Sequence, residues 1–374
     1  MAEILLVANY RLDNQHSMLR LADLLEKGLL SNGIDVAVIR PEPFFGLLAP
    51  KCFLLNKWLR YLDKFVLFPF RLVAHVRGSL LVHIVDHSNA VYCFWLNKKK
   101  SLVTCNDLLA VRSARGEFRE HKTGLLGKLL QRLILAGLHK ATHVTCISEA
   151  TRKDVLRLTG RSEKSVSCIY LGTAPIFESG FAQGSSSEGA RPFRVSPPPA
   201  GIKKKYILHV GGDTWYKNRS GVLLIYSAVR KRLRSAGPDL VMVGPPLESR
   251  MEGVHFLPAV TDAGLAKLYR NAALLLFPSL YEGFGWPVVE ANACGCRTVI
   301  TAIPPLTEAG GDAAAWITDP RDIEAAADQV IKVLNEDPVA REERILAGRQ
   351  HARFFTQDRM LARYLELYAS ILRQ

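Results

Sequence analysis

No apolar run in this 374-residue sequence reaches the roughly 18 residues of a membrane-spanning helix, which argues against an integral membrane protein. The densest hydrophobic stretch, 44–76, is interrupted by Lys51, Lys57, Arg60, Lys64 and Arg71. Cysteine is scarce and scattered: Cys52, Cys93, Cys105, Cys146, Cys168, Cys294 and Cys296 fit no zinc-finger or iron–sulfur spacing. Their odd number, with no secretory leader ahead of Ile4, favours a reducing compartment and hence a cytoplasmic location. Neither an Asp-any-Asp motif at a strand end nor a histidine cluster is present, so no metal site is expected. Zinc-finger, helix-turn-helix and RNA-binding aromatic motifs are missing too, which removes nucleic acid as the expected partner despite a formal charge of +14.

That charge is unevenly distributed. Residues 1–175 hold 25 Lys/Arg against 14 Asp/Glu, whereas 176–374 hold 24 against 21. The first half therefore carries the field that attracts an anionic partner. Between 51 and 77 the basic residues alternate with Phe, Leu and Trp, a pattern suited to an anionic membrane surface, with the apolar groups at the interface and the charges snorkelling. The competing reading is a loosely packed helical hairpin with a solvated face.

The chain is too long for one ordinary core, and its patterning divides in two. Apolar runs at 4–8 and 35–39 flank a helical pattern through Met18, Leu21, Leu25 and Leu29, giving a first βαβ unit. Strands are predicted at 80–85, 101–104 and 143–147, and helices at 124–139 and 149–159, the latter capped by Ser148. We read 1–175 as one α/β domain. Residues 176–205, dense in Ser, Gly and Pro, read as a flexible linker. The pattern restarts with strands at 206–210, 239–243, 273–277 and 297–300, defining a second doubly wound domain over 206–350. Amphipathic helices fill 351–374 and are expected to return toward the first domain. Two such domains facing each other would form a central cleft at the carboxyl ends of both sheets.

The most informative stretch is Ser279 to Gly295. It leaves a buried strand, turns on Gly283 and Gly285, passes Pro287 at a helix's first turn and carries Glu282 and Glu290 eight positions apart. The amides of Gly283, Phe284, Gly285 and Trp286 would stand at the positive end of the new helix, where an anion binds.

This stretch resembles the signature of the large retaining glycosyltransferase family 4, whose fold is the twin-Rossmann arrangement called GT-B. Val210-Gly211-Gly212 with Lys217-Asn218 resembles the first loop of that family's donor domain. The resemblance implies a nucleoside-diphosphate sugar as donor, its base unspecified, with no cofactor and no metal. Glu290 would bind the donor's ribose, Glu282 the transferred sugar and Lys217 the diphosphate, with Gly212, Asn218 and the 283–287 turn also lining the donor site. The family's basic residue ahead of that lysine is missing, and Arg219 or the helix amides alone would take its place. An ordinary surface lysine and helix-end carboxylates are the competing readings.

On the acceptor side, His87 resembles the histidine that relatives place beside the donor sugar, with Asp86 orienting its loop. Asn106-Asp107 stands where relatives often have His-Asp, which argues against a general base there. Asn9 to Ser17 replaces the family's glycine-rich first loop, with His16 as a candidate lining residue. The implied function is transfer of a hexosyl or deoxyhexosyl group to a glycan or lipid-linked saccharide, with the protein peripheral on the inner face of the plasma membrane. A non-hydrolysing nucleotide-sugar epimerase and a non-catalytic sugar-nucleotide-binding protein are the alternatives.

Overall fold

Short, wholly apolar runs such as Ile4-Leu5-Leu6-Val7 are what strands of a parallel sheet covered on both faces require, and here they form two such sheets. A computed structural model describes residues 3–13, 15–48, 53–178, 205–234, 237–248, 251–258 and 260–373. Most of the expected linker, 179–204, and Cys52 lie outside them. The chain forms two compact units, 1–170 with 360–374, and 171–359.

The first unit begins with β1 (Ile4–Val7), α1 (His16–Ser31), β2 (Val36–Ile39), α2 (Phe53–Leu62) and α3 (Phe68–Val76). It continues with β3 (Leu81–Ile84), a 3-10 segment (His87–Trp95), β4 (Ser101–Cys105), α4 (Leu109–Ala114) and α5 (Leu125–Lys140). β5 (His143–Cys146), α6 (Glu149–Thr159) and β6 (Val166–Cys168) complete its sheet, all of whose pairings are parallel, in the order β2-β1-β3-β4-β5-β6. Ser148 caps α6 through Thr151 N at 3.0 Å, and Gly160 closes it in the left-handed region.

The second unit contains α7 (Pro175–Glu178), β7 (Tyr206–Val210), α8 (Arg219–Leu233), β8 (Asp239–Val243), β9 (Val254–Leu257) and α9 (Asp262–Asn271). Then come β10 (Leu274–Phe277), α10 (Trp286–Ala293), β11 (Thr298–Thr301), α11 (Pro304–Gly310) and β12 (Ala315–Ile317). α12 (Ile323–Leu334) and α13 (Pro338–Ala352) follow, and α14 (Gln357–Arg373), which belongs to the first unit from Met360 on, ends the chain. This sheet is also parallel, in the order β12-β11-β10-β7-β8-β9. The short strands β6, β9 and β12 go beyond the strands predicted from sequence.

Residues 53–76 run on as helix without a reversing turn, so the hairpin reading of this region gives way. A single π turn at Asp63–Leu67 joins α2 to α3. Asp63 is buried there and accepts from Tyr10 Oη (2.8 Å) and the amides of Phe44, Phe45 and Gly46 (3.2, 2.9 and 2.9 Å). An isolated buried carboxylate is costly, and four donors offset that cost while fastening the 44–46 loop to the helix.

The expected return of the C-terminal helix to the first domain is visible in its buried side chains. His83 of β3 meets Tyr368 Oη through Nδ1 (2.7 Å) and Thr104 Oγ1 through Nε2 (2.8 Å), and Thr104 meets Tyr364 (3.1 Å). Burial depresses the His83 pKa to about 3, so the ring stays neutral. Tyr368→Phe leaves Nδ1 without its partner in the core, and urea unfolding of the full chain is expected to show a loss of roughly 1–3 kcal/mol.

Candidate active site

In a doubly wound sheet the ligand crevice lies at the carboxyl ends of the two strands where the winding reverses. In the second unit those strands are β7 and β10, and their following loops are joined directly. Leu280 N donates to Tyr216 O at 2.7 Å, and Asn218 Nδ2 to Pro278 O at 2.9 Å. Asn218 holds the left-handed conformation (φ 51°) that lets α8 start immediately after Lys217.

Lys217 Nζ lies 2.7 and 2.9 Å from the two carboxylate oxygens of Glu282, so the structure brings together two residues 65 positions apart. Both are largely shielded from solvent, and Phe277 lies beneath the ammonium, 5.0 Å from its ring centroid. Below the same loop, His209 is fully buried and stacked on Phe277, its Nδ1 donating to Leu276 O at 3.0 Å. Burial pulls its pKa to about 4, so it adds no charge.

Arg219, the first residue of α8, is only 4% exposed. Nη2 donates to Pro245 O, while Nε and Nη1 are buried without a hydrogen-bond partner. Desolvation lowers its pKa, with Asp213 acting in the opposite direction. Gly212 has open space where a side chain would project, whereas a Cβ at Gly244 would lie 2.2 Å from Gly211 O. The loops after β7 and β8 are thus in backbone contact.

Gly285 (φ 118°) precedes α10 and Pro287 occupies its first turn. A Cβ at Gly285 would meet Leu306 at 2.6 Å, so only glycine fits both the conformation and the space. Phe284 packs on Phe355 (5.4 Å between centroids), and the Trp286 indole donates to Gly172 O at 3.2 Å. Both side chains thereby brace the turn from inside while its backbone, with Gly283, opens the helix.

Glu290 sits one turn into α10, 2% exposed, and accepts from Tyr269 Oη at 3.2 Å. Burial, with the Glu290 charge adding to it, pushes the Tyr269 pKa far up and keeps that phenol a donor. Tyr269 carried no signal in the sequence, because the pairing depends on α9 packing beside α10.

The first unit repeats the arrangement with opposite charge. Its winding reverses between β1 and β3, and the residues just beyond those strands meet: Asn9 Nδ2 donates to Asp86 Oδ2 at 2.7 Å. Asp86 also accepts from Asn106 Nδ2 at 3.1 Å and from Ser88 N and Oγ. Burial alone would raise its pKa, but His87, Ser88 and Asn9 outweigh it and hold the carboxyl well below its ordinary value.

His87 Nδ1 lies 3.1 Å from Asp86 Oδ1, a close charge contact that falls short of hydrogen-bond alignment. Burial lowers the His87 pKa, yet Asp86 and the charge of Asp107 raise it by more. Asp107 itself accepts from Leu109 N at 2.9 Å and so fastens the start of α4. Asn106 Oδ1 is buried without a partner. His16 is the first residue of α1, and Asn9 also donates to Gln15 beside it. Asn9 is the residue that sequence reasoning passed over; its place as the first residue beyond Ala8 on the β1 run was the available signal.

Among the described residues, no group of three or more His, Cys, Asp or Glu could hold a metal ion. No helix among them is long and apolar enough to cross a membrane. A cavity of about 700 Å³ in the second unit is lined by Asp312, Gln350, His351, Arg353 and Arg359 among others, none of them selected from sequence.

Residues 204–336 match the family described as "Glycosyl transferases group 1", which makes this part of the chain a relative of glycosyltransferases. An O-antigen chain mannosyltransferase B of Escherichia coli is 30% identical over 143 residues, covering 35% of this chain and 37% of the relative. A D-inositol 3-phosphate glycosyltransferase of Mycolicibacterium smegmatis is 37% identical over 116 residues, covering 30% and 26%. The chain thus matches well under half the length of these curated relatives.

Among solved structures, sucrose-phosphate synthase of Thermosynechococcus elongatus aligns over 100% of both chains with a TM-score of 0.72 and 17% identity. An Anabaena protein solved in complex with UDP and glucose aligns over 99% of this chain and 100% of its own, at 0.68 and 15%. The fold is therefore GT-B, two Rossmann-like domains, as the resemblance implied.

The His87 environment yields a measurable consequence. Its ring is expected to titrate with a midpoint above 6.5 by NMR, and Asp86→Asn, which removes the attracting charge, is expected to bring the midpoint down.

Proposed function

We propose that this protein is a retaining glycosyltransferase that moves a hexosyl or deoxyhexosyl group from a nucleoside-diphosphate sugar to a hydroxyl of a glycan or lipid-linked saccharide. The observation that carries the reading is the Lys217–Glu282 pair at the winding reversal of a unit whose residues 204–336 are related to glycosyltransferases.

In this reading the diphosphate lies between Lys217 and the opening amides of α10. Both are positive and already in place, so they stabilise the charge that builds as the nucleotide leaves without reorganising. Glu282, drawn to Lys217 on one side, accepts hydrogen bonds from hydroxyls of the transferred sugar. Glu290 accepts from the ribose, oriented by Tyr269. Arg219 adds a second positive charge beneath the loop, taking the place of the family's missing basic residue. His87 and Asp86 serve the acceptor side, to which we also assign His16, Asn106 and Asp107.

The bond from the sugar's anomeric carbon to the leaving phosphate breaks, the bond to the acceptor oxygen forms on the same face, and the acceptor proton passes to the leaving phosphate. Lys217 and the α10 amides supply the counter-charge that a metal would otherwise supply, and we assign no metal to the reaction. The mannosyltransferase among the relatives puts a mannosyl donor first and favours a role in cell-surface polysaccharide or glycolipid synthesis. We place the protein in the cytoplasm, on the reducing-compartment reading of its seven scattered cysteines.

The reading is tested with UDP-, GDP-, dTDP- and ADP-linked sugars, following binding by ligand-detected NMR and turnover by nucleotide release. One donor is expected to bind selectively and to resist EDTA, and Glu290→Gln and Lys217→Met are each expected to weaken it by roughly tenfold or more. Failure of every donor to bind folded protein, with Glu290→Gln indistinguishable from the parent, would sink the assignment and leave a non-catalytic protein.

A further inference from the structure

Three elements cover one face of the first unit's sheet: α3 through Phe68, Leu72 and Val76, the 3-10 segment through Ala90 and Tyr92, and α5 through Ile134 and Leu138. They share one core with Leu5, Val7, Val82, Ile84 and Val103, the alternate residues of β1, β3 and β4. Their outer surface departs from what a solvated layer should look like. Along α2, the π turn and α3, Trp58, Leu62, Val66, Phe70 and Val73 are all exposed, Phe70 by 77%. The spacing is four, four, four and three, and the unwinding of the π turn helps keep these positions in line. Along α5, Leu125 (85% exposed), Leu126, Leu129 and Leu133 form a second apolar stripe, with Phe94 and Trp95 exposed on the segment packed beside it. Scattered apolar residues are ordinary on a surface, but aligned stripes of this kind mark an interaction site.

Charge identifies the occupant. α2, α3, the 3-10 segment and α5 contain no acidic residue, and the one in the π turn, Asp63, is buried and fully engaged. Lys57, Arg71, Lys128, Arg132 and Lys140 are exposed on these helices, Arg71 having one loose contact, 3.9 Å, with exposed Glu42. Two copies of this chain pressed together here would oppose like charges, which disfavours self-association. A negatively charged lipid surface satisfies both features, taking the aromatic and aliphatic groups below the headgroups and the amines at their level.

We propose that α2–α3 and α5 form a docking face for an anionic bilayer. The proposal rests on the transferase reading for its purpose, delivery of a membrane-held acceptor, but not for its geometry. Asp63 is a positioning residue in it, because its hydrogen bonds fasten the 44–46 loop, and with it exposed Phe44, to the same helix.

The test is co-sedimentation of the full chain with vesicles of phosphatidylcholine alone or mixed with phosphatidylglycerol. The parent is expected to partition onto the anionic vesicles and to be released by salt. Trp58→Ser with Phe70→Ser, and separately Lys128→Glu with Arg132→Glu, are each expected to lower partitioning by about tenfold or more with melting behaviour unchanged, since all four side chains are exposed. Leu346→Ser, exposed on the second unit, is expected to have no effect. The proposal is overturned if folded parent protein ignores anionic vesicles, if either double variant binds like the parent, or if light scattering finds a dimer that Trp58→Ser with Phe70→Ser dissociates. Vesicle binding by a protein that binds no nucleotide sugar supports the docking face and counts against the transferase reading instead.

Discussion

A lysine ammonium and a glutamate carboxylate, 65 positions apart and both largely withdrawn from water, set the geometry on which the rest of the second unit's candidate site depends. Removing either partner from a buried pair typically costs several kcal/mol, far more than losing a surface pair. The pair can therefore persist only if the loops after β7 and β10 hold one register. The backbone bond from Leu280 to Tyr216 and the side-chain bond from Asn218 to Pro278 supply that register, and the left-handed Asn218 lets α8 begin at the right point. Gly285 allows α10 to start against Leu306, which in turn places Glu290 under Tyr269.

The first unit solves the same topological problem with the opposite sign. Where the second unit gathers cations beside a neutral histidine, the first buries an ionised Asp86 among amide and hydroxyl donors and raises the pKa of His87 beside it. In both units the key groups stand just beyond the strands where winding reverses, so topology decides where chemistry can be placed and local side chains decide its charge.

Much of this was readable in the chain. The apolar runs at 4–8, 80–85, 206–210 and 273–277 announced buried parallel strands, and the glycine-and-proline punctuation of 279–295 announced a strand-to-helix turn. Lys217 and Glu282 were legible as candidates, but their bond was not, because it joins two loops through the order of strands in a sheet. Tyr269, His209 and Asn9 were missed for the same reason: each acquires its role from a neighbour distant in sequence. The strands β6, β9 and β12 are only three or four residues long, too short for alternation to stand out. The basic, aromatic stretch at 44–76 was legible in composition but not in shape, since the bonds of buried Asp63 to Tyr10 and to the 44–46 amides join parts of the chain that spacing alone does not relate.

That π turn also fixes the rotational phase of everything after it. Each residue turns an α-helix by about 100°, and a π turn takes up one extra residue without that rotation, so Phe68, Leu72 and Val76 face the sheet as they would in a regular helix one residue shorter. The tolerance of this segment to a change of length is therefore lopsided: losing one residue at the π turn restores a regular helix with its sheet-facing side chains in place, while gaining one turns them away.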